Sequence, residues 1–451
     1  MNIIFLGATG TVTGSKYLVE TSTTKILIDC GLYQGYKWLR ARNREPLPFD
    51  LKSLDAIVLT HAHLDHSGFI PALYKQGYRG PVYTNEATVS LCSILLPDSG
   101  HIQEDDAKFY SKHKISRHKN PEALYDKETA EACMSLFKPV KFHQHFSVGD
   151  IDIVLQSAGH ILGAASVILE ADGKRVGFSG DVGRPNDNIM YPPEPLPPLD
   201  LLMLESTYGN RLHDKEDPLD LLAEVVNSTV KQGGVLLIPS FAIGRTEAVQ
   251  HMLAVLMQEG RIPHLPVYLD SPMAISVFDI YCNHSELNRL SKDQCHDMSH
   301  LVKFTRKVDE SKALSELVLP HIIIAGSGMA TGGRILHHMK RLISDDRTTV
   351  LFTGYLSGGT RGAKMIAGND NIKIHGKWLP IKARIEVLHG LSGHGDYEDI
   401  TQWLQLSQLK SKTKIRLVHG EPDASEAMRD HLMQYTSFDV EVASYHEILR
   451  I

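Results

Sequence analysis

The run Thr60-His61-Ala62-His63-Leu64-Asp65-His66 constrains this chain more than any other stretch. Four groups able to bind a metal fall within six residues, directly after the apolar run 56–59, which reads as a buried strand. Imidazole nitrogen suits zinc, and a carboxylate can complete its shell. A strand must therefore deliver these side chains at its C-terminal end, and the remaining ligands must come from the ends of other strands. The same device recurs: Gly159-His160 follows a strand expected over 152–157, Gly180-Asp181 follows one over 175–179, and His419-Gly420 follows one over 414–418. Asp29 closes a strand over 25–29 and is placed to orient a ligand from behind.

Apolar patterning predicts further strands over 2–6, 16–20, 165–170 and 201–205, a helix-rich segment over 88–137, and an extended proline-rich connection over 192–198. After Tyr208 the pattern changes. An amphipathic helix over 219–231 leads through Gly233-Gly234 into a strand over 235–238. A helix over 242–257, strands over 266–269 and 321–325, a helix over 334–343 and a strand over 349–352 follow. Such alternation predicts a parallel sheet with helices on its faces. From Ile381 short strands resume, ending with 414–418 and 440–443.

With 451 residues the chain is too long for one ordinary core, and two domains, or one domain carrying an insertion, are expected. Hydrophobic residues make up 42% and charged residues 22%, the balance of a soluble enzyme. No stretch reaches the roughly 18 apolar residues a membrane helix needs, and Met1 to Leu6 lacks the basic start of a secretory signal. Five cysteines, Cys30, Cys92, Cys133, Cys282 and Cys295, form no C-x-x-C pair, and reduced thiols in the cytoplasm are expected. The net charge of −6 argues against a polyanionic partner. From Gly209 to Gly376, however, 18 basic residues balance 18 acidic ones, so the deficit lies in the remainder, 29 against 35. That remainder holds the candidate metal ligands, where bound cations would reverse the local field. No basic stripe interleaved with aromatics is read from the sequence.

The H-x-H-x-D-H run, the strand-end Asp29 before it and His160 and Asp181 after it resemble the metallo-β-lactamase fold. Leu204-Glu205-Ser206-Thr207-Tyr208-Gly209, Ser392-Gly393-His394-Gly395-Asp396 and His419 resemble the added motifs of the β-CASP nucleases. That is the family of ribonuclease J and of the endonuclease that matures messenger-RNA 3′ ends. Pro239 to Arg245, Asp270-Ser271-Pro272-Met273-Ala274 and Gly354 to Gly362 also resemble it, and the match spans nearly the whole chain. The resemblance implies an α/β architecture: a metallo-β-lactamase αββα sandwich over 1–208 and 377–451, with a β-CASP domain inserted over 209–376. It implies two zinc ions per chain, one on His61, His63 and His160 and one on Asp65, His66 and His419, bridged by Asp181. The absence of appended domains resembles a minimal stand-alone bacterial or archaeal member.

The implied chemistry is phosphodiester hydrolysis in RNA, leaving a 5′-phosphate and a 3′-hydroxyl. Asp65, Asp181, Glu205 and His394 would carry it. His394 is the candidate general acid, because a histidine with a pKa near about 6.5 can donate close to neutrality, and Glu205 would orient it. Backbone N–H groups of the Gly-rich turn at Ser327 and Gly328 could cradle a phosphate at a helix start, and Arg245, Thr360 and Arg361 are further substrate contacts. The partner implied is RNA, single-stranded by expectation, with a homodimer left open and cleavage expected to be internal. A small-ester or thioester hydrolase on the same scaffold is the competing reading; the large insertion and His394 argue against it. Gly393 stands where the family usually has alanine, and Ala363 where it often has arginine.

Overall fold

The computed structural model describes residues 1–113, 122–214, 216–354, 356 and 359–451. Residues 114–121 of the expected helix-rich segment, and Tyr355, lie outside them. The chain divides into two compact units, Met1–Leu212 with His394–Ile451, and His213–Gly393.

Two seven-stranded sheets form the first unit. One runs Ile448–Arg450, Asn2–Phe5, Tyr17–Glu20, Lys25–Ile28, Ala56–Val58, Val82–Asn85 and Phe137–Val140. The other runs Asp439–Val442, Lys414–Val418, Leu201–Glu205, Lys174–Phe178, Ala165–Ala171, Ile151–Ser157 and Phe146–Val148. Side chains alternate across a strand, and the burial follows that period. Val167, Leu169, Leu201 and Met203 meet Ile3, Phe5, Ile26 and Val58 between the sheets. Their neighbours Ile168, Leu202 and Leu204 point outward under Trp403 and Leu404 of the helix Tyr397–Leu406 and Met428 and Leu432 of the helix Pro422–Tyr435. The helix Glu86–His113 packs on the outer face of the first sheet. Leu201–Glu205 is therefore apolar almost throughout because both faces are covered.

The second unit is a six-stranded, wholly parallel sheet in the order Val302–Phe304, Val267–Leu269, His321–Ala325, Val235–Pro239, Thr349–Phe352, Arg384–Val387. Leu236, Ile238, Ile322 and Ile324 pack under Val249, Met252 and Leu256 of the helix Arg245–Gln258. Leu237, Ile323 and Val350 pack on the opposite face under Ile335 and Met339 of Ile335–Leu342. The helices after the neighbouring strands Val235–Pro239 and His321–Ala325 thus leave toward opposite faces, which makes the carboxyl ends of those strands a topological switch point.

The resemblance implies an insertion ending at Gly376. The compact unit continues to Gly393, because Arg384–Val387 pairs in parallel with Thr349–Phe352 and so completes the sheet. The expectation of five reduced thiols is corrected. Cys282, at the end of the helix Pro272–Asn283, and Cys295, in Lys292–Leu301, are joined as a disulfide with Cα atoms 5.9 Å apart. A separation of 13 residues across two helices and a turn carries no spacing signature. Cys30, Cys92 and Cys133 are free and buried. Among the described residues no helix is long and apolar enough to cross a membrane.

Candidate metal centre

All the side chains of the site belong to the first unit, and strand register brings them together. Leu201–Glu205 lies parallel to both Lys174–Phe178 and Lys414–Val418, with Phe178 opposite Met203 and Val418 opposite Glu205. Asp181, Glu205 and His419 therefore emerge at one edge of one sheet. The facing sheet delivers His61 and His63 just past Ala56–Val58, and Asp65 and His66 on the short helix Leu64–Ser67. His160 enters on the loop after Ile151–Ser157. Close approach is enforced by Gly31, where a Cβ would sit 1.6 Å from the Asp65 carbonyl oxygen.

Two donor clusters result, and Asp181 touches both. In the first, His61 Nε2 and His160 Nε2 lie 3.1 and 3.3 Å from His63 Nδ1, and 3.3 and 3.5 Å from Asp181 Oδ2. In the second, His66 Nε2 lies 3.1 Å from His419 Nε2, which is 3.5 Å from Asp65 Oδ2. The other Asp181 oxygen, Oδ1, is 3.2 Å from His66 Nε2 and 3.5 Å from His419 Nδ1. Ligand atoms within each cluster all lie within 4.8 Å of one another.

This donor set fits metal ions. Asp181 Oδ1 is buried yet accepts no hydrogen bond, a costly state for a carboxylate unless a cation faces it. Burial, then the neighbouring His66, lowers the His61 pKa. Burial, then His61, lowers that of His63 to about 3, and burial, then His394, pushes His160 well down. All three therefore present neutral nitrogen lone pairs, the form that binds metal. For Asp65 and Asp181 burial opposes ionisation, but His419 and His66 outweigh it and hold both carboxyls low. Burial also disfavours charged His66, but Asp181 and Asp29 overcome it and raise its pKa well above the usual value.

Support lies behind the ligands. Asp29 Oδ2 is 2.6 Å from His66 Nδ1, while Thr60 donates its N–H to Asp29 Oδ1 at 2.8 Å and Ser15 its hydroxyl to Oδ2 at 2.9 Å. Thr207 Oγ1 lies 3.1 Å from His419 Nδ1. Asp29 and His419 both adopt left-handed backbone, with φ of 57° and 51°, a conformation kept where surrounding structure enforces it. Thr60, Ser15 and Thr207 were not singled out from sequence. Thr60 directly precedes the histidine run and Thr207 lies within Glu205-Ser206-Thr207, so proximity was the available signal.

His394 completes the site from just before Tyr397–Leu406, whose N-cap Asp396 forms a capping box with Asp399. Its Nδ1 is 3.0 Å from Glu205 Oε1 and its Nε2 is 4.0 Å from Asp181 Oδ2. Glu205 is fully buried and accepts the Val182 N–H at 2.6 Å.

The remaining sequence-predicted residues belong to the second unit, around the carboxyl ends of its strands. Arg245 donates to the Thr353 carbonyl at 2.8 Å and lies over the Phe241 ring. Ser327 Oγ accepts the N–H groups of Thr331 and Gly332, so the hydroxyl closes its own turn, and Gly328 lies against Phe241. Thr360 caps the helix Arg361–Ile366, and Arg361 donates to the carbonyls of Lys373 and Thr331.

A two-cluster His/Asp site at the strand ends of a β-sandwich defines a metal-dependent hydrolase of the metallo-β-lactamase kind. Family models agree: a β-lactamase superfamily domain matches residues 24–232, a Beta-Casp domain 246–365, and a Zn-dependent metallo-hydrolase RNA specificity domain 378–443. Ribonuclease TTHA0252 of Thermus thermophilus is 36% identical over 460 residues, covering 99% of each chain. Transcription termination factor FttA of Methanosarcina mazei is 30% identical, over 100% of this chain and 72% of its own length. An RNase J-like protein of Methanocaldococcus jannaschii is 28% identical, over 89% and 88%. A crystal structure of a protein of unknown function from Enterococcus faecalis shares the fold, with a TM-score of 0.55 at 13% identity over 99% of each chain. The chain belongs to the β-CASP family of metallo-β-lactamase-fold hydrolases.

Proposed function

We propose that this protein is a zinc-dependent ribonuclease that cuts single-stranded RNA internally, leaving a 5′-phosphate and a 3′-hydroxyl. The observation that carries the reading is the pair of donor clusters sharing Asp181, with the Glu205–His394 couple set against them. His61, His63 and His160 would hold one zinc ion, and Asp65, His66 and His419 the other, with Asp181 between them. Metal ions held there would supply hydroxide near neutral pH and neutralise charge on the phosphoryl oxygens. His394 Nε2 protonates the departing 3′-oxygen as the P–O3′ bond breaks and the water-derived oxygen joins phosphorus. Glu205 fixes the ring by receiving the Nδ1 proton side, so that Nε2 faces the leaving group. This leaves the ribose 2′-hydroxyl without a chemical role, and preference for RNA must come from binding.

The relatives named as ribonucleases and the match to an RNA specificity domain support RNA as substrate. Incubating zinc-loaded protein with RNA and matched DNA, labelled at either end, tests this. RNA fragments of internal length bearing 5′-phosphates are expected. Intact RNA beside hydrolysed thioester would overturn the reading.

A further inference from the structure

The segment Tyr36-Lys37-Trp38-Leu39-Arg40-Ala41-Arg42-Asn43-Arg44 carries four cations and no acidic residue in a chain whose net charge is −6. The fold buries Leu39 and turns its neighbours outward: Tyr36 is 53% and Trp38 58% exposed. The Arg42 guanidinium sits 4.1 Å from the Tyr445 ring centre, 5.2 Å from that of Trp38 and 5.5 Å from that of Tyr33. The cation thus stacks among rings anchored at the buried Tyr33, and Trp38, with Tyr36 beside it, is the part that stands in solvent. Arg44 reaches the Glu122 carbonyl and Asp106 feels the charge of Arg40, so the surroundings are not free of acids, but the face itself is basic.

The platform is tied to the metal centre. Cys30 N–H donates to the His66 carbonyl at 2.7 Å and Leu32 N–H to the Leu64 carbonyl at 2.8 Å. Asn43 then clamps Tyr33, accepting its N–H at 2.9 Å and donating to its carbonyl at 2.7 Å. The chain leaving the strand-end Asp29 thus passes the ligand helix Leu64–Ser67 and arrives at the helix Lys37–Arg42 in a fixed position.

We propose that this face is a binding subsite for single-stranded RNA outside the cleavage centre, with bases stacking on Trp38 and Tyr36 and phosphates meeting Lys37, Arg40 and Arg44. Exposed aromatics beside surface cations are what a flexible polyanion with π-faces requires. The identification of RNA, rather than another polyanion, rests on the ribonuclease reading above.

The test uses the zinc-loaded full chain and a short fluorescent phosphorothioate RNA that resists hydrolysis, with anisotropy read across a salt series. Trp38→Ala and the double variant Lys37→Ala/Arg40→Ala should each weaken binding about tenfold. The double variant should also flatten the slope of log K against log salt by about 0.7 per cation removed. Trp38→Phe should restore most of the affinity, and all three variants should hydrolyse bis(p-nitrophenyl) phosphate like the parent. Unchanged affinity and slope would overturn the proposal. So would a dimer that Trp38→Ala splits while RNA affinity stays constant, which would make the face a contact between copies. RNA bound through this face by a protein that cuts no phosphodiester would keep the subsite and remove the ribonuclease reading instead.

Discussion

His394 Nδ1 lies 3.0 Å from Glu205 Oε1, and Glu205 has no surface in solvent. The carboxylate is itself pinned by the Val182 N–H, so the imidazole has one preferred orientation. Under the proposed function Glu205 would be a positioning residue acting through His394. Glu205→Gln retains the shape and one acceptor oxygen but removes the charge. Its kcat on RNA should fall by about a hundredfold, within the range for general acid catalysis, with KM unchanged. An equal loss in KM would point to a substrate contact instead. Steady-state kinetics on one RNA separates the two.

Asp29 grips His66 at 2.6 Å and is gripped in turn by Thr60 and Ser15. Partners of this kind orient a ligand and typically carry about 10- to 100-fold in metal affinity. Asp29→Ala should therefore lose zinc to a chelator at correspondingly lower chelator concentration, and only one of two equivalents should be affected. Loss of both together, or of neither, would contradict the separation into two clusters.

Glu247, in the helix Arg245–Gln258, is fully buried with no side chain bonded to its oxygens. Burial pushes its carboxyl up to about 8, against the pull of the nearby Glu247 and Gly244 backbone. A folded pKa above the unfolded value of about 4.3 means that folding holds the proton while the unfolded chain releases it. The penalty is absent below about pH 4, grows as pH rises and is complete above about pH 8. Glu247→Gln should raise the melting temperature more at pH 8 than at pH 5. An equal shift at both values would show that the carboxyl titrates normally.

Asp270 is fully buried and accepts from Arg334 at one oxygen and from His338 and Ser311 at the other. Burial opposes its charge, but these three donors prevail and hold the carboxyl below its usual range. With the folded pKa depressed, the stabilisation is present above about pH 4 and is lost as pH falls through the folded value. Asp270→Ala should cost on the order of 3 kcal/mol in denaturant unfolding at neutral pH, and less as the solution is acidified. A neutral-pH cost near zero would contradict a charged carboxylate.

Much of this architecture was legible because period and position carry it. Leu201–Glu205 reads as a strand buried on both faces and is one, and His160 and Asp181, expected at strand ends beside glycine, lie there and fall in one donor cluster. The β-CASP and metallo-β-lactamase resemblance is borne out by the family models. What escaped depends on contacts distant in sequence. Arg384–Val387 is a half-buried tetrapeptide whose membership of the second sheet is decided by a free edge at Thr349–Phe352. Cys282 and Cys295 meet only once two helices fold back. The basic, aromatic face at Tyr36–Arg44 was passed over because only burial of Leu39 reveals that Trp38 stays outside.

Under the proposed function two zinc ions would act with His394 as proton donor in cleaving RNA. Single-turnover cleavage of one labelled RNA by the parent and by His394→Ala, with zinc content measured in both, tests it most directly. Two zinc ions per chain in each protein and cleavage slowed at least about a hundredfold in the variant are expected. Cleavage at the parental rate by a fully loaded variant would contradict it.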